Sequence, residues 1–283
     1  MQLKYLLNDL TDDMTPEERY WWDTTRKSFR QYPKDILFWL SQLPQGGAPP
    51  MPPPHLRYRV AGGYDVKRFN RTGKESRRDF EAALQSIGKT YTDFHSILDF
   101  GVGCGRIMRW MKDLSRDAKL YGTDIDELAI NWSKKHIRYA QYEVNQGLPP
   151  LNYADEQFDL VYAHSVFSHL DEKYQDAWLG ELKRVTKPGA VLLLTIHGDF
   201  AWQSFYNSAP DLPAMIHHVM AYEENGFCFA SDDEWTGVFP DFYHSMFHQK
   251  SYIMKHWGQF FTVRNYLLRG MLSYQDIVVL QKE

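Results

Sequence analysis

A chain of 283 residues, 43% of them hydrophobic and 16% aromatic, has enough apolar material to bury a substantial core. Its formal charge of −4 gives no broad attraction to phosphate backbones or anionic lipid, which sets nucleic acid and membrane surfaces aside as partners. Cys104 and Cys228 are the only two cysteines, too few for a disulfide framework, so a reducing compartment, the cytoplasm, is expected. Lys4 and Asp9 interrupt the apolar residues at the start of the chain, leaving a run too brief for a signal-peptide core or a bilayer span.

In chain order, Thr15-Pro16-Glu17-Glu18 reads as a helix start, with Thr15 as N-cap, Pro16 in the first turn and Glu18 closing a capping box. The helix runs to about Arg30, and Tyr32-Pro33 separates it from a second carrying Ile36, Leu37, Trp39 and Leu40. Residues 44–54 hold six prolines and two glycines and make a stiff connector, so residues 1–57 form an N-terminal extension and 58–283 the main domain. A helix is expected from about Lys74 to Ile87. Seven strands follow, at about 96–100, 119–124, 139–145, 158–163, 190–197, 260–268 and 275–282. Helical spacing fills 106–116, 127–138 and 171–185, so the class is α/β, a doubly wound sheet. Val191-Leu192-Leu193-Leu194 is unbroken apolar sequence, which suits a strand buried on both faces. Segment 200–245, rich in rings from Phe200 to Tyr243 and including Trp235, is an inserted cap before the last two strands.

The first strand ends in Asp99-Phe100-Gly101-Val102-Gly103-Cys104-Gly105. Glycine without Cβ and tolerant of positive φ lets such a turn lay its backbone against a ligand. The dinucleotide fingerprint fails, because its third glycine would fall at Arg106, and no Gly-Lys-Ser/Thr follows to make a phosphate loop. An acid, Asp124, closes the next strand where a ribose would need an acceptor. Phe158 to Leu170 supplies a third element, a strand running out through Ser165, Val166 and Phe167.

These three motifs, in this order, resemble those of class I S-adenosylmethionine (SAM)-dependent methyltransferases. The resemblance covers about residues 60–283 and implies a Rossmann-like seven-stranded sheet whose last strand inserts antiparallel beside the sixth. It implies a SAM site made of Asp99, Gly101, Gly103, Gly105, Asp124, Ile125, Asn145 and Ser165, with S-adenosylhomocysteine as product. Asn145, preceding Gly-Leu-Pro-Pro, serves equally well to turn the chain. The base candidates are His197 and Asp199, at and just past the end of the fifth strand, with His197 preferred because ligands gather there, and His244 with Tyr243. His169 reads as a packing histidine. His244 and His248, four apart, suit one helix face, but without a carboxylate partner no metal is expected. The expected activity is methyl transfer to a hydroxyl or amine of a small molecule. Non-methyl SAM chemistry, such as cyclisation or aminopropyl transfer, and a non-catalytic SAM-binding partner or sensor are the alternatives. The N-terminal rings Trp21, Trp22, Phe38 and Trp39 either close over the site or pair two subunits.

Overall fold

The computed structural model describes residues 14–42, 49–209, 213–230, 239–240 and 242–283. Trp235, Asp241, the first thirteen residues and most of the proline connector's centre lie outside them. A central sheet of seven strands has the order β3-β2-β1-β4-β5-β9-β8, with β1 Ser96–Phe100, β2 Lys119–Asp124, β3 Ala140–Val144, β4 Phe158–Ala163, β5 Thr186–Ile196, β8 Thr262–Met271 and β9 Gln275–Gln281. β1 to β5 pair in parallel, whereas β9 is antiparallel to both β5 and β8. The doubly wound class and the antiparallel insertion are as expected. A two-stranded ribbon, β6 Phe227–Ala230 with β7 Ser245–His248, stands apart.

Alternation along the inner strands builds a core on each face. Leu160 and Tyr162 of β4, Val191 and Leu193 of β5 and Ile277 and Val279 of β9 pack with Phe80, Ala83 and Leu84 of the helix Val66–Gln85 (α4). Val161, Ala163, Leu192, Leu194, Val278 and Leu280 face the other way, onto Trp178, Leu179 and Leu182 of the helix Glu172–Val185 (α6). Strands buried on both sides need no polar face, which is why their sequence is so uniformly apolar.

The first helix, α1 (Pro16–Phe29), has the expected capping box, and α2 (Tyr32–Gln42) begins at the predicted break. The proline stretch ends sooner than the sequence suggested. Pro54 occupies the first turn of α3 (Pro54–Ala61), closed by Gly62 in the left-handed region, so the division at 57/58 falls inside a helix. Arg57, fully buried, clamps the extension: its Nη2 meets both oxygens of Asp35 at 2.8 and 2.9 Å, Nη1 donates to the Pro52 carbonyl and Nε to that of Tyr64. α2 turns Ile36, Leu37, Trp39 and Leu40 to solvent and only Phe38 inward.

Two further segments differ from expectation. Residues 106–116 form separate 3₁₀ turns, Met108–Trp110 and Leu114–Arg116, rather than an α-helix. The helix expected from Lys74 begins earlier, at Val66, where Asp65 caps it. Between β5 and β9 the chain forms α7 (Asp199–Ser208), α8 (Ile216–Asn225), the ribbon and α9 (Lys250–His256). Several rings of this insert make a small core of their own: Trp202 stacks on Tyr222 at 4.5 Å and packs with Met215 and Phe247. Among the described residues no helix is long and apolar enough to cross a membrane.

Candidate functional site

The carboxyl ends of β1, β2 and β4 open into one cleft lined by Asp99, Gly101, Gly103, Asp124, Ile125, Asn145 and Ser165 from the predicted set. Gly101, Gly103 and Gly105 have φ of 84°, 53° and 74°, so the turn depends on glycine's conformational freedom. Gly105 lies behind the cleft wall, where a Cβ would fall 2.3 Å from Cδ1 of Ile137. A Cβ on Gly103 would fall 2.5 Å from a Val60 methyl. Arg59, Val60, Ala61 and Gly62 of the α3 region line the cleft above that turn. The extension therefore reaches the site through α3, while no ring of α2 lines it. Gly103→Ala should then lift α3 and strain φ, costing about 1–3 kcal/mol of stability; an unchanged melting temperature would show that α3 does not bear on this turn.

Asp124 braces the glycine turn from the neighbouring strand. Its Oδ2 accepts from the Gly103 N–H at 2.7 Å and its Oδ1 from the Asp126 N–H at 2.8 Å. Burial raises this carboxyl to about 6 against those two donors, so at neutral pH it is ionised and retains lone pairs toward the cleft. Asp126 caps the helix Glu127–His136 (α5) and pairs with Arg59 at 2.5 Å, tying α3 to the cleft's edge. Arg59 in turn lies over the Phe239 ring at 5.1 Å.

Burial pushes Asp99 up to about 8, with Asp124 adding and Arg106 opposing. Because its folded pKa exceeds its unfolded value, the folded state binds the extra proton and the group destabilises the fold progressively as pH rises from about 4 to about 8. Asp99→Asn should flatten the stability profile over that window; an unaltered slope in pH-dependent denaturation would show that Asp99 is not its source.

Asn145 uses both ends of its amide locally, accepting from Thr123 Oγ1 at 2.9 Å and donating to the Gln146 carbonyl at 2.7 Å, which is the chain-turning role. Ser165 sits at the end of β4 with φ of 63°, held by its N–H on Thr195 Oγ1 at 2.8 Å, and its hydroxyl accepts from Gln275 Nε2 at 2.8 Å. Backbone strain at a non-glycine residue on the cleft floor is common at sites where chemistry is positioned.

The base candidates separate. Tyr243 lines the cleft, but His197 and His244 are not among its lining residues. His197 is buried, stacked on Phe247 at 5.3 Å and edge-on to His169 at 5.5 Å, and burial lowers it to about 4. Its strand end is covered by β7, with which it bridges, so the position the sequence favoured lies one layer behind the cleft. His244 packs edge-on to Phe229 at 5.4 Å. His248 lies in β7 rather than on a helix, and its Nε2 meets Gln175 at 2.9 Å.

His169 occupies the wall instead, contrary to its reading as packing alone. Its ring stacks on Tyr243 at 4.3 Å and its Nδ1 meets the His244 carbonyl at 3.0 Å. A carbonyl only accepts, so Nδ1 carries the proton and, in the neutral ring, Nε2 bears the lone pair, 3.5 Å from Ser165 Oγ. From the insert, Phe239, Phe242 and Tyr243 line the cleft.

The donor set fits SAM. A carboxylate suits the ribose hydroxyls, Ile125 and Phe242 offer apolar surface to the base, and the glycine turn admits the amino-acid end. Residues 98–194 match a family model described as a methyltransferase domain. Among similar solved structures, a protein from Pyrococcus horikoshii OT3 is 16% identical, with a TM-score of 0.51 over 80% of this chain and 98% of that one. An S-adenosylmethionine-dependent methyltransferase from Clostridium acetobutylicum ATCC 824 is 10% identical, with a TM-score of 0.50 over 77% and 94%. A SAM-dependent methyltransferase from Methanosarcina mazei is 22% identical, with a TM-score of 0.49 over 66% and 92%. At these identities the structural likeness is one of fold.

Proposed function

We propose that the chain, whose residues 98–194 match a methyltransferase domain, is a class I SAM-dependent methyltransferase that transfers the methyl group of SAM to a hydroxyl or amine of a small molecule. The observation that supports this reading is one cleft in which the glycine turn, Asp124 and a histidine with a directed lone pair face each other. When bound, SAM supplies an electrophilic methyl on a sulfonium that leaves readily. Gly101 and Gly103 would border its amino-acid end, Asp124 its ribose, Ile125 its base, and Ser165 the reacting end.

The protein's own part is to align, exclude water and take a proton. Alignment of two bound reactants contributes on the order of 7–11 kcal/mol in favourable cases. Phe239, Phe242 and Tyr243 line the cleft with apolar surface that would help to exclude water. His169 Nε2 would accept the proton of an acceptor hydroxyl or ammonium, with the His244 carbonyl fixing the ring, and His197 would back that ring rather than titrate. The exposed apolar face of α2 supports a pairing of two subunits through the N-terminal helices.

Calorimetric titration with SAM and S-adenosylhomocysteine, followed by an acceptor screen, tests this reading. Binding of both and release of S-adenosylhomocysteine are expected. Release of methylthioadenosine would instead show non-methyl chemistry, and binding without consumption across the panel would favour the sensor role.

A further inference from the structure

Arg106, the residue immediately after the glycine turn, has a side chain that the motifs leave unassigned. It is more than nine-tenths buried yet belongs to the cleft wall. Nη2 donates to His164 Nδ1 at 2.9 Å, and among the described residues Nε has no hydrogen-bond partner. Among the described residues no carboxylate forms an ion pair with it. Burial lowers Arg106 to about 10, so it remains a cation at neutral pH, while the same burial drives His164 well below its usual range and keeps that ring neutral. Asp99, the acid whose field acts on it, is held up to about 8 and stays protonated at that pH.

A desolvated guanidinium without a counterion is among the more expensive things a fold can hold, and its planar fork matches a carboxylate. Its place is also telling, since His164 directly precedes Ser165 on the same strand end and Tyr243 lines the same cleft. We propose that Arg106 is the receptor for a ligand carboxylate, either the amino-acid carboxylate of the cofactor or an acid group on the acceptor. The inference rests on the methyltransferase reading and adds a chemical class to it.

The test compares wild type, Arg106→Gln and Arg106→Lys in titrations with S-adenosylhomocysteine and with 5′-methylthioadenosine, which keeps the nucleoside and lacks the carboxylate. If the cofactor supplies the acid, Arg106→Gln weakens S-adenosylhomocysteine roughly 10- to 100-fold and leaves methylthioadenosine unchanged, with partial recovery in Arg106→Lys. If the acceptor supplies it, both nucleosides bind equally to all three proteins. Small carboxylic acids then raise the melting temperature of the S-adenosylhomocysteine complex where their amides do not, and Arg106→Gln abolishes that difference. Unchanged behaviour in both arms overturns the proposal. If Arg106→Gln fails to fold, Arg106→Lys carries the comparison, beside wild-type affinities for S-adenosylhomocysteine and its carboxamide. If wild type binds neither nucleoside, the methyltransferase reading falls, and the acid-against-amide comparison on the unliganded protein decides Arg106 by itself.

Discussion

Replacement of Asp124 by alanine is expected to weaken S-adenosylhomocysteine binding by about 1.5–3 kcal/mol, the value of a hydrogen bond to a charged group, or roughly 10- to 150-fold in Kd. The loss has two sources, because the carboxylate both faces the cleft and holds the Gly103 and Asp126 N–H groups. Asp124→Asn separates them. An amide of the same shape presents an acceptor to one N–H and a donor to the other, so the turn loosens even where the ligand still finds an oxygen. The pH dependence gives a third readout. Since burial places the carboxyl at about 6, affinity in wild type should be full above that value and fall as the pH drops through it. That step should vanish in Asp124→Asn. Affinity that survives both substitutions, with the pH step intact, would mean that another group meets the ribose.

The parts of this site that one stretch of sequence could announce were those fixed by local chemistry. A strand buried on both faces leaves a mark in Val191 to Leu194, and a turn at positive φ leaves one in its three glycines. The segment after the glycines misled for a physical reason: Ile107, Trp110, Met111 and Leu114 recur at three- and four-residue intervals, a pattern that short 3₁₀ turns satisfy as well as an α-helix. Tertiary contacts decided between them. The carbonyl of Arg106 lies so close to Gly73 of α4 that a Cβ there would stand 2.2 Å away, and Arg109 reaches back to the Pro49 and Pro50 carbonyls at 2.7 and 3.3 Å. Arg106 itself stood in plain view beside the turn, but its lack of a counterion is a property of burial. For His169 nothing local could serve, because the carbonyl that sets its tautomer is 75 residues away in the chain. The strand-end rule pointed to His197, and that rule is blind to β7 covering the strand end.

His169→Ala is expected to lower kcat by about 10²- to 10⁴-fold, the range of a general base, with cofactor affinity preserved. His197→Ala should cost far less turnover. The difference follows from where each ring stands and from how weak a base His197 is. His197 lies behind the wall, and at about 4 its imidazole is too weak a base to drive removal of a proton from a hydroxyl at neutral pH. His169 borders the cleft with Nε2 directed by the bond from Nδ1 to the His244 carbonyl. Tyr243→Phe keeps the 4.3 Å stack and removes only the hydroxyl, so it should retain most activity if Tyr243 positions the ring and lose it if that hydroxyl meets the acceptor. Turnover is read as S-adenosylhomocysteine release with an acceptor found by the screen. Full kcat in His169→Ala beside a large loss in His197→Ala would reverse the assignment, and would require the strand end under β7 to open during the reaction. Losses of equal size would place both histidines in one proton path across their 5.5 Å contact, with His169 receiving the proton first because it alone faces the cleft.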